Sequence, residues 1–374
     1  MLRKFKVSNF RSFEKDFELD LTNTNGYEFS KDAIRNGIAN NSIIYGHNGV
    51  GKSNLALAIF DIIEHLTDKQ KNEIIYKNYL NAFCNSDSAC FYYEFLINSK
   101  IIIYEYKKTD YKTIVYERFQ IDEEVLVSFD RVTESNAKIF LKGAENLKKD
   151  IENNELSILK YIKNNTELEH NDTNETFKLF FSFVEKMLYF RSLSDRMFLG
   201  FDIAGDKKNA IEEIIKRNNV KDFEKFLNDA GIECDLSVVE ELGGDKTIVF
   251  NFNEKQLPFA QVASTGTAAL CLFYYWFQSI KENNKVSFLF IDEFDAFYHH
   301  SLSYLIVKKL KETGVQFILT THNTSIMTND LLRPDCYFEM TKNSIKALSK
   351  STQKELRESH NLEKMYKAGL FNVE

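Results

Sequence analysis

The stretch Ile43-Ile44-Tyr45-Gly46-His47-Asn48-Gly49-Val50-Gly51-Lys52-Ser53-Asn54 constrains this chain more than any other. An apolar run leads into Gly-x-x-x-x-Gly-Lys-Ser, and residues of helical period follow from Leu55. Strand, glycine loop and helix in that order form the P-loop pattern in its structural context. Glycines let the backbone turn tightly enough for successive N–H groups to cradle phosphate oxygens, and the new helix adds its positive end. Asn48, Gly49, Val50, Gly51, Lys52, Ser53 and Asn54 are therefore the candidate nucleotide-binding residues, with Lys52 reaching the β- and γ-phosphates and Ser53 holding Mg²⁺. The competing reading is a glycine turn before an ordinary helix. It leaves the four specified positions and both flanks unexplained.

The rest of the chain must supply a sheet for that strand. At 374 residues there is room for two domains, or for one large α/β domain carrying an insertion. Only 2 prolines and 14 glycines argue against long linkers, while 33 Phe and 18 Tyr promise aromatic-rich strands. The net charge of −7 weakens, without excluding, a role in wrapping nucleic acid. The 5 cysteines are scattered with no C-x-x-C pair, which fits a reduced, cytoplasmic setting better than zinc or disulfides. No apolar run reaches membrane-spanning length and no signal-peptide core opens the chain.

Hydrophobic periodicity divides the chain into three parts. Residues 1–134 hold two N-terminal strands (Leu2 to Val7 and Phe13 to Leu21), the P-loop unit, and a run of short β-branched and aromatic segments. Those segments, Ala89 to Ile97, Ile101 to Tyr106 and Thr113 to Phe119, predict an antiparallel meander. Residues 135–232 read as an inserted helical region, with helices expected over Asn146 to Lys163, Glu175 to Tyr189, Ala210 to Asn219 and Val220 to Ala230. Residues 233–374 open on a hairpin, Leu236 to Leu242 with Thr247 to Phe252. They then alternate helix, strand, helix, strand (Ala268 to Ile280, Val286 to Ile291, Leu302 to Thr313, Val315 to Thr320), which implies a parallel sheet shared with the P-loop strand.

The second half of a nucleotide site lies in that last part. Phe288-Leu289-Phe290-Ile291-Asp292-Glu293 is a buried strand ending in two acids, a Walker B pattern. Asp292 is placed to hold Mg²⁺ beside the P-loop, and Glu293 to polarise the attacking water. His322 follows the next strand, where a γ-phosphate sensor is expected. Ala263-Ser264-Thr265-Gly266-Thr267 starts an apolar helix and makes an anion site. Because the chain already has one phosphate cradle, this second one fits the phosphate held by another subunit; an ordinary N-cap is the alternative.

This order of motifs resembles the ABC-type ATPases of the RecF/SMC/OLD-like branch, beginning with Phe5-Lys6-Val7-Ser8-Asn9-Phe10-Arg11-Ser12-Phe13. Asp292-Glu293-Phe294-Asp295-Ala296-Phe297-Tyr298-His299-His300, Thr320-Thr321-His322-Asn323-Thr324, Leu332-Arg333-Pro334-Asp335 and Asn361 to Gly369 are similar to bacterial AAA-family ATPases related to RloC, to abortive-infection proteins and to the ATPase of PARIS-type defence systems. The resemblance implies an α/β P-loop NTPase fold of ABC-ATPase type: a mixed sheet with an antiparallel meander and a helical insert. It implies ATP and Mg²⁺ as cofactors. Glu293, His322 and Lys52 would be catalytic, Ser53 and Asp292 would bind metal, Ser264 and Gly266 would complete a partner's site, and Asp295 would lie across a dimer interface. Thr265 stands where a second serine is usual. No Q-loop glutamine stands ahead of the Ala89 strand, since Gln70 comes too early.

Three functions compete. The first is a regulatory ATPase whose ATP-dependent homodimer, alone or in a larger oligomer, controls a separate effector such as a nuclease in anti-phage defence. Some fifty residues after His322 leave little room for an effector domain on this chain. The second is a RecF-type repair ATPase with DNA as its partner, for which salt-sensitive duplex binding would be the signature. The third is a nuclease built on acid and histidine clusters such as Arg357-Glu358-Ser359-His360, more simply read as a polar tail helix.

Overall fold

A computed structural model describes the chain except for residues 70–75, 192–197, 200–209, 241–242, 282–284, 297–299 and 372–374. The N-terminal part contributes β1 (Leu2–Ser8), β2 (Phe17–Asp20), the short pair β3 (Ile34–Arg35) and β4 (Ile38–Ala39), β5 (Asn41–Tyr45) and the P-loop helix α1 (Lys52–Leu66). The meander follows as β6 (Ala89–Ile97), β7 (Lys100–Lys108), β8 (Ile114–Ile121), β9 (Glu124–Asp130) and β10 (Lys138–Ile139). Next come α2 (Ile158–Asn165), α3 (Asp172–Glu185), β11 (Met187–Arg191), β12 (Phe198–Leu199), α4 (Ala210–Lys216) and α5 (Val220–Asp229). The last part holds β13 (Leu236–Glu240), β14 (Lys246–Phe252), β15 (Lys255–Pro258), α6 (Phe259–Val262), α7 (Thr265–Lys281), β16 (Phe288–Asp292), α8 (His300–Glu312), β17 (Gln316–Thr320), β18 (Tyr337–Met340), β19 (Ile345–Ala347) and α9 (Leu362–Lys367).

These strands form two large sheets and a small one. The core sheet runs β12-β11-β16-β17-β5-β18-β19, with the five inner strands parallel and an antiparallel strand at each edge. Each of β5, β16 and β17 is buried along its whole length, as expected of parallel strands covered on both faces. The second sheet, β10-β9-β8-β7-β6-β1-β2, is antiparallel throughout and contains the expected meander. Its inner strands alternate buried and half-buried residues. The small sheet β13-β14-β15 extends the expected hairpin by one strand.

Helix α1 is held between the two large sheets. Apart from Ser53 and Asn54 it is buried all round, which is how an apolar helix without a polar face must sit. On the meander side, Tyr93 of β6 donates its hydroxyl proton to the Ala58 carbonyl at 2.9 Å. A charged group also crosses this layer: Asp61 of α1 accepts from Lys108 Nζ at 2.7 Å and from the hydroxyls of Tyr79 and Tyr106, each at 2.9 Å. The sheets are joined elsewhere by Gln316, whose amide accepts from Leu2 N at 2.7 Å and donates to the Leu2 carbonyl at 2.8 Å. This side chain extends β1 toward the core sheet much as another strand would.

Several expectations need correction. The helix expected over Glu175 to Tyr189 ends at Glu185, and Met187–Arg191 is instead a core strand pairing in parallel with Phe288–Asp292. Of the stretch Asn146 to Lys163, only Ile158 onward is helical. Upstream, Arg131 takes the carbonyls of Ile151, Asn153 and Leu156, and Ser157 caps the helix, so those carbonyls are spent outside a helix. Phe13 pairs back on Phe10 in a tight bridge, which shortens the second strand to Phe17–Asp20. Residues 357–360 form a turn, and the helix begins at Leu362 with Asn361 accepting from Lys364 N. Gln70 and the Phe297-Tyr298-His299 segment lie outside the described residues.

Candidate nucleotide site

Parallel α/β sheets place their ligands at the carboxyl ends of the strands, and four neighbouring strands end together here. β5 runs into the P-loop, β16 into Asp292-Glu293, β17 into Thr320-Thr321-His322, and β11 into Arg191. The P-loop is shaped by contacts on both sides. A side chain at Gly46 would place Cβ 2.6 Å from the Met340 carbonyl oxygen, and one at Gly51, whose φ is +107°, would meet Ser12 Oγ at 2.6 Å. The turn after β1 therefore packs directly against the loop. It is fixed there by Asn54, which donates to Ser12 Oγ at 2.9 Å and accepts from Arg11 at 3.2 Å.

Lys52 is buried and turned back onto the loop. Its Nζ donates to the carbonyls of Gly46 at 2.8 Å and His47 at 3.2 Å, and lies 3.0 Å from His322 Nε2. Since the ammonium has only protons to offer, the His322 nitrogen must be the acceptor. Burial lowers the Lys52 pKa against the opposing pull of Asp292 and Glu293. Burial, followed by the Lys52 charge, lowers that of His322.

Asp292 is fully buried and both of its oxygens are engaged. Ser53 Oγ donates to Oδ2 at 2.5 Å, and Thr320 Oγ1 donates to Oδ1 at 2.6 Å. The Glu293 N–H in turn donates to Thr320 Oγ1 at 2.8 Å. Glu293 takes a left-handed backbone, φ +48°, uncommon for a residue with a side chain. Its carboxyl pKa is raised, first by burial and then by the Asp292 charge. A hydroxyl and a carboxylate in contact are the hard oxygen donors Mg²⁺ prefers, so Ser53 and Asp292 fit that ion.

Asp295 is fastened within its own chain, accepting from Thr321 Oγ1 at 2.7 Å and Ser303 Oγ at 3.0 Å. Ser264 is exposed and caps α7, accepting from Thr267 N at 3.1 Å, with Gly266 in the same first turn. Among the described residues, the hydrogen bonds of Ser264 stay within that turn, whereas Lys52, Ser53, Asp292, Glu293 and His322 form one cluster. Asn48 and Gly49 are exposed on the loop, and Val50 is buried beneath it.

Sequence reasoning passed over three groups at this site. Arg11 and Ser12 entered the sequence reading only within the Phe5 to Phe13 stretch that carries the family resemblance, with no role at the nucleotide site. Arg191 gave no signal, because its strand was taken for the end of a helix.

A buried P-loop lysine, a serine in contact with the aspartate that ends β16 and a neighbouring acid are the parts of a P-loop ATPase site of the AAA type. The comparison with known families agrees: residues 42–328 match the family described as "AAA domain, putative AbiEii toxin, Type IV TA system", and the chain belongs to it. No curated protein sequence matches the chain. Among solved structures, it is similar to the SMC head domain from Thermotoga maritima at 16% identity, covering 92% of this chain and 98% of that one with a TM-score of 0.43. It is also similar to a Smc head domain with an extended coiled coil bound to the C-terminal domain of ScpA, from Pyrococcus furiosus, at 11% identity, 93% and 97% coverage and a TM-score of 0.46. The recombination mediator RecF matches at 14% identity, 93% and 98% coverage and a TM-score of 0.39. Among the described residues, no helix is long and apolar enough to cross a membrane.

Proposed function

We propose that the chain binds and hydrolyses ATP at sites completed by a second copy arranged head to tail. The observation that carries this reading is the exposed start of α7. Ser264 and Gly266 offer a capped helix N-terminus to solvent, while the chain's own P-loop cluster is assembled without them. An anion-binding helix end has a use if the phosphate is presented by a partner. Asp295, held by Thr321 and Ser303, belongs to the same interface.

Within the site, Lys52 exchanges the Gly46 and His47 carbonyls for phosphate oxygens. Glu293 orients and deprotonates the attacking water, and a pKa raised by burial and the Asp292 charge makes it a stronger base than a free carboxylate. His322 reaches the terminal phosphate once Lys52 has left it. Ser53 and Asp292 would hold Mg²⁺, which would supply charge neutralisation for the phosphates.

The family description points to toxin–antitoxin and abortive-infection biology. We place the chain as the sensor or regulatory subunit of such an anti-phage system, related to RloC and PARIS-type ATPases. Its ATP-dependent dimer controls a separate effector, with a nuclease as the first candidate. The test is the mass in solution of the Glu293→Gln chain. ATP should convert monomer to dimer or a dimer-based oligomer, and Ser264→Arg should abolish that step without weakening ATP binding. A Glu293→Gln chain that stays monomeric with saturating ATP excludes the shared site.

A further inference from the structure

Arg191 occupies a position that the proposed chemistry leaves unused. It is the last residue of β11, and in the parallel register its Cα partner is Asp292. Its Nε lies 3.5 Å from Asp292 Oδ2, the same oxygen that accepts the Ser53 proton at 2.5 Å. Asp292 is sealed from solvent, whereas the Arg191 side chain keeps 26% of its surface exposed. Tyr189, two residues earlier on the same strand face, places a buried hydroxyl within the field of Asp292 and Arg191. Arg191 also opposes, ahead of Lys52, the rise in the Glu293 pKa that burial and the Asp292 charge cause.

The guanidinium stands beside the carboxylate oxygen that would hold Mg²⁺. Ser53 and Asp292 are the donors that fit the metal, and a guanidinium beside the same carboxylate oxygen repels a divalent ion. A planar guanidinium released from a carboxylate is matched in shape and charge to a phosphate.

Resting on the nucleotide-site reading above, we propose that Arg191 is a metal-displaced phosphate sensor. It neutralises Asp292 while the site lacks metal. When Mg²⁺ enters with a nucleotide it moves to the terminal phosphate. Arg191 thereby distinguishes a triphosphate from a diphosphate, and does so only with metal present. A fixed counter-ion to Asp292 would make no such distinction.

The experiment measures affinities of the full chain for fluorescent ATP and ADP analogues, each with Mg²⁺ and with EDTA. The native chain should prefer ATP over ADP in Mg²⁺, and that preference should shrink in EDTA. In Arg191→Ala the Mg²⁺-dependent preference should fall about tenfold, the scale of one charged hydrogen bond, with ADP affinity kept within about twofold. Arg191→Gln, which keeps the volume and a polar head, gives the same reading should the alanine chain not fold. An unchanged ATP/ADP ratio in the variant that folds, or a native preference equally strong in EDTA, overturns the proposal. Failure of the native chain to bind either analogue in Mg²⁺ would instead overturn the nucleotide site itself, along with everything built on it.

Discussion

Ser53 Oγ and Asp292 Oδ2 lie 2.5 Å apart although 239 positions separate them in the chain. The contact joins the P-loop to the strand that carries Asp292. Ser53→Ala should therefore lower the affinity for Mg²⁺–nucleotide by about tenfold or more, as expected for a lost charged interaction, and leave metal-free nucleotide binding nearly unchanged. Titration calorimetry with and without EDTA checks this. Equal losses in both conditions would mean that Ser53 shapes the loop and does not hold metal.

Glu293 combines the candidate base with a left-handed backbone, φ +48°. Glycine carries no steric penalty there, so Glu293→Gly should gain about 1 kcal/mol of stability while ATP hydrolysis collapses. Glu293→Gln should lose hydrolysis about 10²-fold or more with little change in stability. Thermal unfolding and phosphate release, measured on both variants, separate strain from chemistry.

The contact between Lys52 and His322 predicts a pH signature in the nucleotide-free protein. The folded His322 pKa lies below its ordinary 6.5, so the unfolded chain takes up the proton first as pH falls. Stability from this group is present above pH 6.5 and is lost as pH drops from there toward the lowered value. His322→Gln should flatten that part of the profile. Melting temperatures recorded from about pH 7.5 to 5.5 test it, and native and variant curves of identical shape would refute the neutral acceptor.

Asp61 and Lys108 are each fully buried and 2.7 Å apart, between α1 and the meander. Removing one partner strands the other's charge, so Lys108→Met should cost about 3–5 kcal/mol. The Asp61→Asn, Lys108→Met pair should recover much of that loss. Denaturant unfolding of the two singles and the double closes the cycle.

What could be read from the sequence followed from how local each signal is. The P-loop, the acids ending β16 and the histidine after β17 all announce themselves within a few residues, and the structure gathers them. β11 does not. Met187-Leu188-Tyr189-Phe190 is a continuous apolar run, as a doubly covered parallel strand must be, and periodicity alone cannot separate it from the end of α3. The place of Arg191 depends wholly on that strand's register with β16, which no local pattern records. Asp61 went unremarked in the sequence, although an acid amid apolar residues in a P-loop helix requires a buried partner. Which residue answered it was decided by the meander's register, as Lys108 sits at the end of β7.

The Thr320 hydroxyl takes the Glu293 N–H and gives its own proton to Asp292. One atom on β17 thus secures both acids of β16, and it also holds a backbone twist that costs about 1–3 kcal/mol when unsupported. Sliding β17 against β16 would break both bonds at once. The Asp292 carboxylate would lose one of its two hydrogen bonds, and the turn at Glu293 would lose its support. The orientation of Asp292 and the turn at Glu293 thus hang on a single oxygen and stand or fall together.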